Sequence, residues 1–492
     1  MQLAEEIERA LKELGAAGAV EVRENGGRLA APASLEWELR GQGNSPLIHV
    51  WCGERNLTRR VLGIAEDSHD RLVLAVQRFG KAKPERLEFR RMDLERPQRQ
   101  LAREEFFSWF KHLLADRFPD DTLESLSIGA DLEHSLSGCY ARGVMRGRTQ
   151  TWAVLGVSEN EAAAVQENAL TAGLLWLYRK RKAARRRGVA GLRLFLPVGQ
   201  GRRMVPRLAA LGNSARIEVY EIGGALDEVA RFDAGEAGNL STWLVARREA
   251  ESLLAQAGAA LASVVKLAPE AIAASVVPGA REVALRFRGL AFARWAEGRV
   301  YFGVGGSNEE LTPASEPALE KLVSDLGTCR CSLAEDTRHP FYRAQPERWL
   351  ETMVRKEPAR IDARLRADPL YTQVPAIAAG DREVMDLLGV TCDGRLAVIE
   401  LKADEYLYLP LQAADYWLRV RWHQQQGDLP RYGYFTGLEL QSKAPLLFLV
   451  APGLRFHPAT DTLLSFLTPE MEVVRVGLAE DWRRELRVVL RQ

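Results

Sequence analysis

Residues 383–416 read EVMDLLGVTCDGRLAVIELKADEYLYLPLQAADY. Two β-rich runs, VMDLLGV and RLAVIELK, flank the turn signal Cys392-Asp393-Gly394. Asp386 interrupts the first run, and Glu400-Leu401-Lys402 closes the second. Charge on a strand with a buried face is costly unless paired, so acids placed here point to a site. Side chains alternate along a strand, which puts Glu400 and Lys402 on one face and Leu401 on the other. A three-residue loop with Gly394 in the left-handed conformation pairs residue 391 with 395 and sets Asp386 opposite Glu400. A two-residue loop would send Asp386 to the other face. In the first register the two residues stand about 4.5–5.5 Å apart at Cβ.

Two carboxylates about 4 Å apart repel by roughly 4 kcal/mol at an effective dielectric near 20. Such a pair takes up a proton or recruits a cation. Lys402 offsets part of the repulsion, and oxygen donors with room for water suit Mg²⁺ or Mn²⁺, ions that work on phosphate substrates. A sheet-edge ion network is the bland alternative, and it perturbs titration in the same way. Against it stands the helix that follows, where Gln412 and Tyr416 recur at i, i+4, with Asp415 and Arg419 on the same side.

These residues resemble the PD-(D/E)xK nuclease superfamily, in the branch of RecB-type and archaeal mismatch-type nuclease domains. Asp386, the Glu400-Leu401-Lys402 triplet and Gln412-Ala413-Ala414-Asp415-Tyr416, which looks like a QxxxY motif, carry the likeness. Glu351, in RWLETMV, looks like the acid on the first helix of such domains, and Met385 stands where the family name has proline. The resemblance covers 346–492 and implies a restriction-endonuclease-like mixed sheet flanked by helices. It implies, further, Mg²⁺ or Mn²⁺ held by Glu351, Asp386, Glu400 and the carbonyl of Leu401. Lys402 would orient a water or stabilise phosphoryl charge, and Gln412 and Tyr416 would position the strand. The implied activity is a metal-dependent nuclease on DNA, in repair or defence; the alternative is an inert nucleic-acid binder on the same fold.

The 492-residue chain is long for one core. Elements recur in similar order: a helix and β module over 1–98, an α/β domain over 99–245, a second helix and β module over 246–345, and the nuclease-like domain over 346–492. This reads as a degenerate tandem duplication with a period of about 243–245 residues. Superposing the halves sets Ser108 at the Glu351 position, 141–143 at Asp386 and 155–157 at Glu400, so the first α/β domain lacks the acids. One helix is expected over 159–187 and another from Asp481.

Net charge is +1, so any affinity for nucleic acid rests on local patches. The densest is Arg179, Lys180, Arg181, Lys182, Arg185, Arg186 and Arg187, which also suits a helix C-terminus. Five scattered cysteines, Cys329-Arg330-Cys331 among them, lack zinc-site spacing and suit a reduced, cytoplasmic protein. The N-terminus is acidic and amphipathic rather than a signal peptide, and no segment reads as a membrane span. Asp362, Asp404 and Glu405 are spare carboxylates for turns or surface, and His49 belongs at a core edge or the surface.

Overall fold

A computed structural model describes residues 3–16, 19–24, 27–28, 36–40, 46–51, 56–68, 71–77, 84–92, 96–131, 135–184, 188–223, 229–233, 242–244, 246–277, 280–304, 308–378 and 381–492. The protein is mixed α/β with four sheets among the described residues. It divides into two compact units, 1–239 with 405–411 and 457–468, and 240–404 with 412–456 and 469–492. No helix among the described residues is long and apolar enough to cross a membrane.

The first unit opens with helix Leu3–Ala16, whose Ile7, Leu11 and Leu14 pack on a seven-stranded antiparallel sheet through Val22, Leu74 and Phe89. His49 is fully buried there against Trp51, a core residue and not an edge one. Next come α1 (Arg96–Arg117) and a six-stranded sheet: β1 (Thr122–Ser127), β2 (Tyr140–Arg146), β3 (Thr151–Val157), β4 (Val189–Pro197), β5 (Ile217–Ile222) and β6 (Val229–Phe232). Its strands lie in sequence order, with β3, β4 and β5 parallel and the outer pairs antiparallel. Between β3 and β4 the expected single helix is two, Ala163–Glu167 and α2 (Ala169–Ala183), broken at Asn168, whose side-chain amide donates to the Ala164 carbonyl. Helix α3 (Gln200–Ala209) joins β4 to β5.

In the second unit, α4 (Arg247–Lys266) sets Leu253, Leu261 and Val264 on a five-stranded antiparallel sheet, against Val283, Leu285 and Phe292. Helix α5 (Pro346–Lys356) then leads into β7 (Tyr371–Ala378), β8 (Asp381–Val390), β9 (Leu396–Leu401), β10 (Leu446–Pro452), β11 (Glu472–Leu478) and β12 (Val488–Arg491). Helix α6 (Leu409–Gln425) lies between β9 and β10 in the chain, and Thr242–Trp243 adds a short strand beside β7. The order and directions of β7–β12 repeat those of β1–β6. Trp349, Leu350 and Val354 of α5 pack on Leu387, Ile399, Leu401 and Phe448, as Phe110, Leu113 and Leu114 of α1 pack on Ala141, Val154 and Phe195. The segment from Asp481 is not a helix. Trp482 and Leu486 bury into the core and the chain continues as the edge strand β12.

Candidate active site

Strands β8 and β9 form the hairpin with the three-residue loop. Thr391 donates its amide to the Arg395 carbonyl, and Gly394 takes φ +88°, a backbone conformation costly for any residue with a Cβ. The ladder runs Val390↔Leu396 to Leu387↔Ile399, which sets Asp386 abreast of Glu400 at the next step. Asp386 Oδ2 accepts from the Leu401 amide at 3.0 Å, so a backbone bond ties this carboxylate to the neighbouring strand. Glu400, 2% exposed, accepts from Lys402 Nζ at 3.0 Å on Oε1.

Glu351 reaches the same place from α5. Burial pushes its carboxyl up to about 7, Arg348 works against that shift, and the Asp386 charge adds to it. Arg348 Nη1 lies 2.7 Å from Glu351 Oε2 and 3.7 Å from Asp386 Oδ1, bridging two of the acids. Arg286, on the strand Glu282–Phe287, adds a second cation that interacts with Glu351 and is itself opposed by the charge of Arg348. The hairpin bearing Arg286 abuts α5 because Gly289, at φ +85°, has no side chain. A Cβ there would fall 2.2 Å from the Arg348 carbonyl oxygen.

Arg330 holds this junction. It is fully buried, donates to the carbonyls of Arg288, Phe341, Ala344 and Gln345, and lies 4.8 Å over the Trp349 ring. Burial, helped by Arg483 and Arg288, lowers its guanidinium to about 9. Sequence reasoning passes over Arg286, Arg330 and Arg348. The one signal for any of them is Arg348 at i−3 to Glu351, an ion-pair spacing on a helix.

Gln412 donates to the Tyr416 hydroxyl at 3.1 Å, and Asp415 and Arg419 form a buried two-bond pair beside them on α6. The expected helical pairing is present, but Gln412 and Tyr416 are engaged with each other. Asp362 is a turn residue, as expected, and a buried one: its Oδ1 accepts from the Arg364 amide, and it pairs with Arg364 and Arg491. Asp404 pairs with Arg455, and Glu405 with Arg59.

In the basic run, Arg179 bonds Asp131 and Lys180 Nζ sits 4.2 Å over the Trp176 ring. Arg181 donates to the carbonyls of Val189, Ala190 and Ser214. Lys182 is exposed, and Arg185, Arg186 and Arg187 lie outside the described residues.

The donor chemistry suits a hard divalent ion: Asp386 stands abreast of Glu400, and burial, with the Asp386 charge adding to it, raises Glu351. Arg348 already compensates part of that charge, and among the described residues no three acidic, histidine or cysteine side chains form a ready ligand cluster. No protein-family model matches the chain, and no curated protein matches it.

Proposed function

We propose that the β7–β12 region is a restriction-endonuclease-like domain that hydrolyses phosphodiester bonds of DNA with Mg²⁺ or Mn²⁺. The observation that carries this reading is Asp386 abreast of Glu400, with Lys402 bonded to Glu400 and Glu351 raised beside Asp386. Glu351, Asp386, Glu400 and the Leu401 carbonyl would hold the ion, which supplies polarisation of a phosphoryl oxygen and an acidified water. Lys402, restrained by Glu400, would place a cation where charge builds on the phosphoryl group. Asp386 is held in place by the Leu401 amide, and Glu351 near 7 can exchange a proton close to neutral pH.

A second reading has its own observation: Arg348 bridges Glu351 and Asp386, so the acids are part-compensated without a metal. On that reading the domain is an inert nucleic-acid binder. Incubating the full chain with single-stranded, duplex and branched DNA, with Mg²⁺, Mn²⁺ or EDTA, separates the two. Metal-dependent cleavage that Glu400→Gln removes supports the nuclease; binding without cleavage supports the platform.

A further inference from the structure

A cavity of about 820 Å³ opens within the second unit, between the start of α4, the strand Ile272–Val276, the end of α5 and the start of β7. That volume lies within the range of small-molecule sites. Three arginines line it: Arg247, Arg281 and Arg355. Arg281 and Arg355 are exposed and enter no ion pair among the described residues. Arg247 lies 4.8 Å over the Tyr371 ring, its Nε is buried with no hydrogen-bond partner among the described residues, and its nearest acid, Glu251, is at 4.0 Å. Among the described residues the lining carries one carboxylate, Glu249, against these three cations.

We infer that this cavity is a nucleoside-phosphate site, with the base stacked on the Arg247–Tyr371 pair and the phosphate held by Arg281 and Arg355. A guanidinium plane backed by an aromatic ring is a surface on which bases stack regardless of sequence. Arginine forks match phosphate oxygens two at a time. The first turn of α4, whose N-cap Ala246 offers no side-chain acceptor, lines the same cavity, and its dipole favours the same anion.

The cavity also borders the acid cluster. Arg355 follows Glu351 by one helical turn, about 6 Å along α5. Ser275, in the cavity wall, accepts from Arg286 Nε at 3.3 Å, and Arg286 is the second cation that interacts with Glu351. Resting on the nuclease reading, the cavity holds the nucleotide next to the bond that is cut. The nucleoside phosphate is the end of a strand or a free nucleotide.

The experiment is calorimetric binding to the full chain in EDTA, where cleavage plays no part. The probes are AMP, 5′-phosphorylated (dT)6 and a closed DNA dumbbell without ends. AMP or (dT)6 should bind, and Arg281→Gln and Arg355→Gln should each weaken binding about tenfold, the worth of one charge-assisted hydrogen bond. An unchanged Tm shows that the variants are folded. Tighter binding of (dT)6 than of AMP or the dumbbell assigns a strand end, and equal binding of AMP and (dT)6 assigns a free nucleotide. The inference falls if neither AMP nor (dT)6 binds, if the folded double variant binds as the parent does, or if polyglutamate competes as well as (dT)6. Binding in EDTA without cleavage in Mg²⁺ or Mn²⁺ leaves this site standing and removes the nuclease. Cleavage with parental KM in the double variant does the reverse.

Discussion

Leu155 and Glu400 hold the same place in two sheets of identical strand order. Leu155 pairs with Leu194, three residues before Pro197, where β4 ends; Glu400 pairs with Leu449, three residues before Pro452, where β10 ends. Their antiparallel partners are Arg142 and, one step past the ladder's last pair, Asp386. Both central positions are buried. In the first sheet the position is core. Val157 stands where Lys402 stands in the second, and Arg142 turns away to donate to the Gly129 carbonyl and cover Trp176. In the second sheet, Lys402 bonds Glu400, Arg348 bridges Asp386 and Glu351, and Arg286 interacts with Glu351. A frame of this shape therefore accepts a buried carboxylate only where its neighbours bring cations, which is the general cost of buried charge seen locally.

The largest effect should come from testing that difference chemically. Glu400→Gln or Asp386→Asn should reduce metal-dependent cleavage by well over 100-fold, since even partners behind a metal ligand are worth about 10–100-fold. Leu155→Met, a volume-conserving change at the matching position, should leave cleavage as it is. A gel assay on labelled DNA decides it. Cleavage by Glu400→Gln at the parental rate would sink the site assignment.

Stability should run the other way. Leu155→Ala should cost about 2–5 kcal/mol, as buried leucine truncations do. Glu400→Ala in EDTA should cost clearly less, because losing one of several crowded carboxylates relieves repulsion with Asp386 even as it releases Lys402. Urea unfolding of both variants gives the comparison. Equal losses would mean that Glu400 is as structural as Leu155.

The hairpin is legible in sequence because its determinants are local. Strand alternation, a glycine at the turn and one register leave a single face for Asp386, Glu400 and Lys402. Helix α6 follows from the i, i+4 spacing of Gln412 and Tyr416 for the same reason. What surrounds the acids is not legible, because it depends on packing between distant segments. Arg286 arrives from a strand some 65 residues before Glu351 in the chain only because Gly289 lets the hairpin touch α5. Arg330 looks like part of a failed zinc motif and is a buried clamp on four carbonyls. The end of the chain shows the limit of helical pattern: Trp482 and Leu486 satisfy the core from a turn, and the sheet edge takes 488–491. Asn168 likewise divides what reads as one helix.

A smaller effect should appear in the pH dependence of stability in EDTA. The Glu351 carboxyl is raised from 4.5 to about 7. The native state therefore binds a proton more tightly than the unfolded one. The stability this contributes is fully present below about pH 4.5 and is lost as pH rises through 7. Glu351→Gln cannot lose it, so the variant should gain on the parent between pH 5 and 8, by up to about 3 kcal/mol from a shift of this size. Mg²⁺ should narrow the gap by favouring the carboxylate. Parallel Tm–pH curves for the two proteins would show that Glu351 is ordinary.

The smallest effect concerns the basic run of the first unit. Removing one cation that neutralises a DNA phosphate should flatten the slope of log K against log salt by about 0.9. Arg181 already donates to three carbonyls, one from each guanidinium nitrogen, and Arg179 pairs with Asp131. Arg181→Ala should lower Tm and leave the slope alone. Lys182 is exposed and makes no such bond among the described residues. Lys182→Ala should leave Tm alone and flatten the slope by about 0.9, weakening all DNA sequences alike, because phosphate neutralisation carries no sequence information. Replacing Arg185, Arg186 and Arg187 together with alanine extends the series, with a further decrease of about 2–3 in slope. Affinity titrations on one duplex from low to high salt read all three variants. Slopes unchanged in both the Lys182 and the triple variant would leave the run as the solvated end of α2, and the first unit as a fold that shares the second unit's strand order without its ligand.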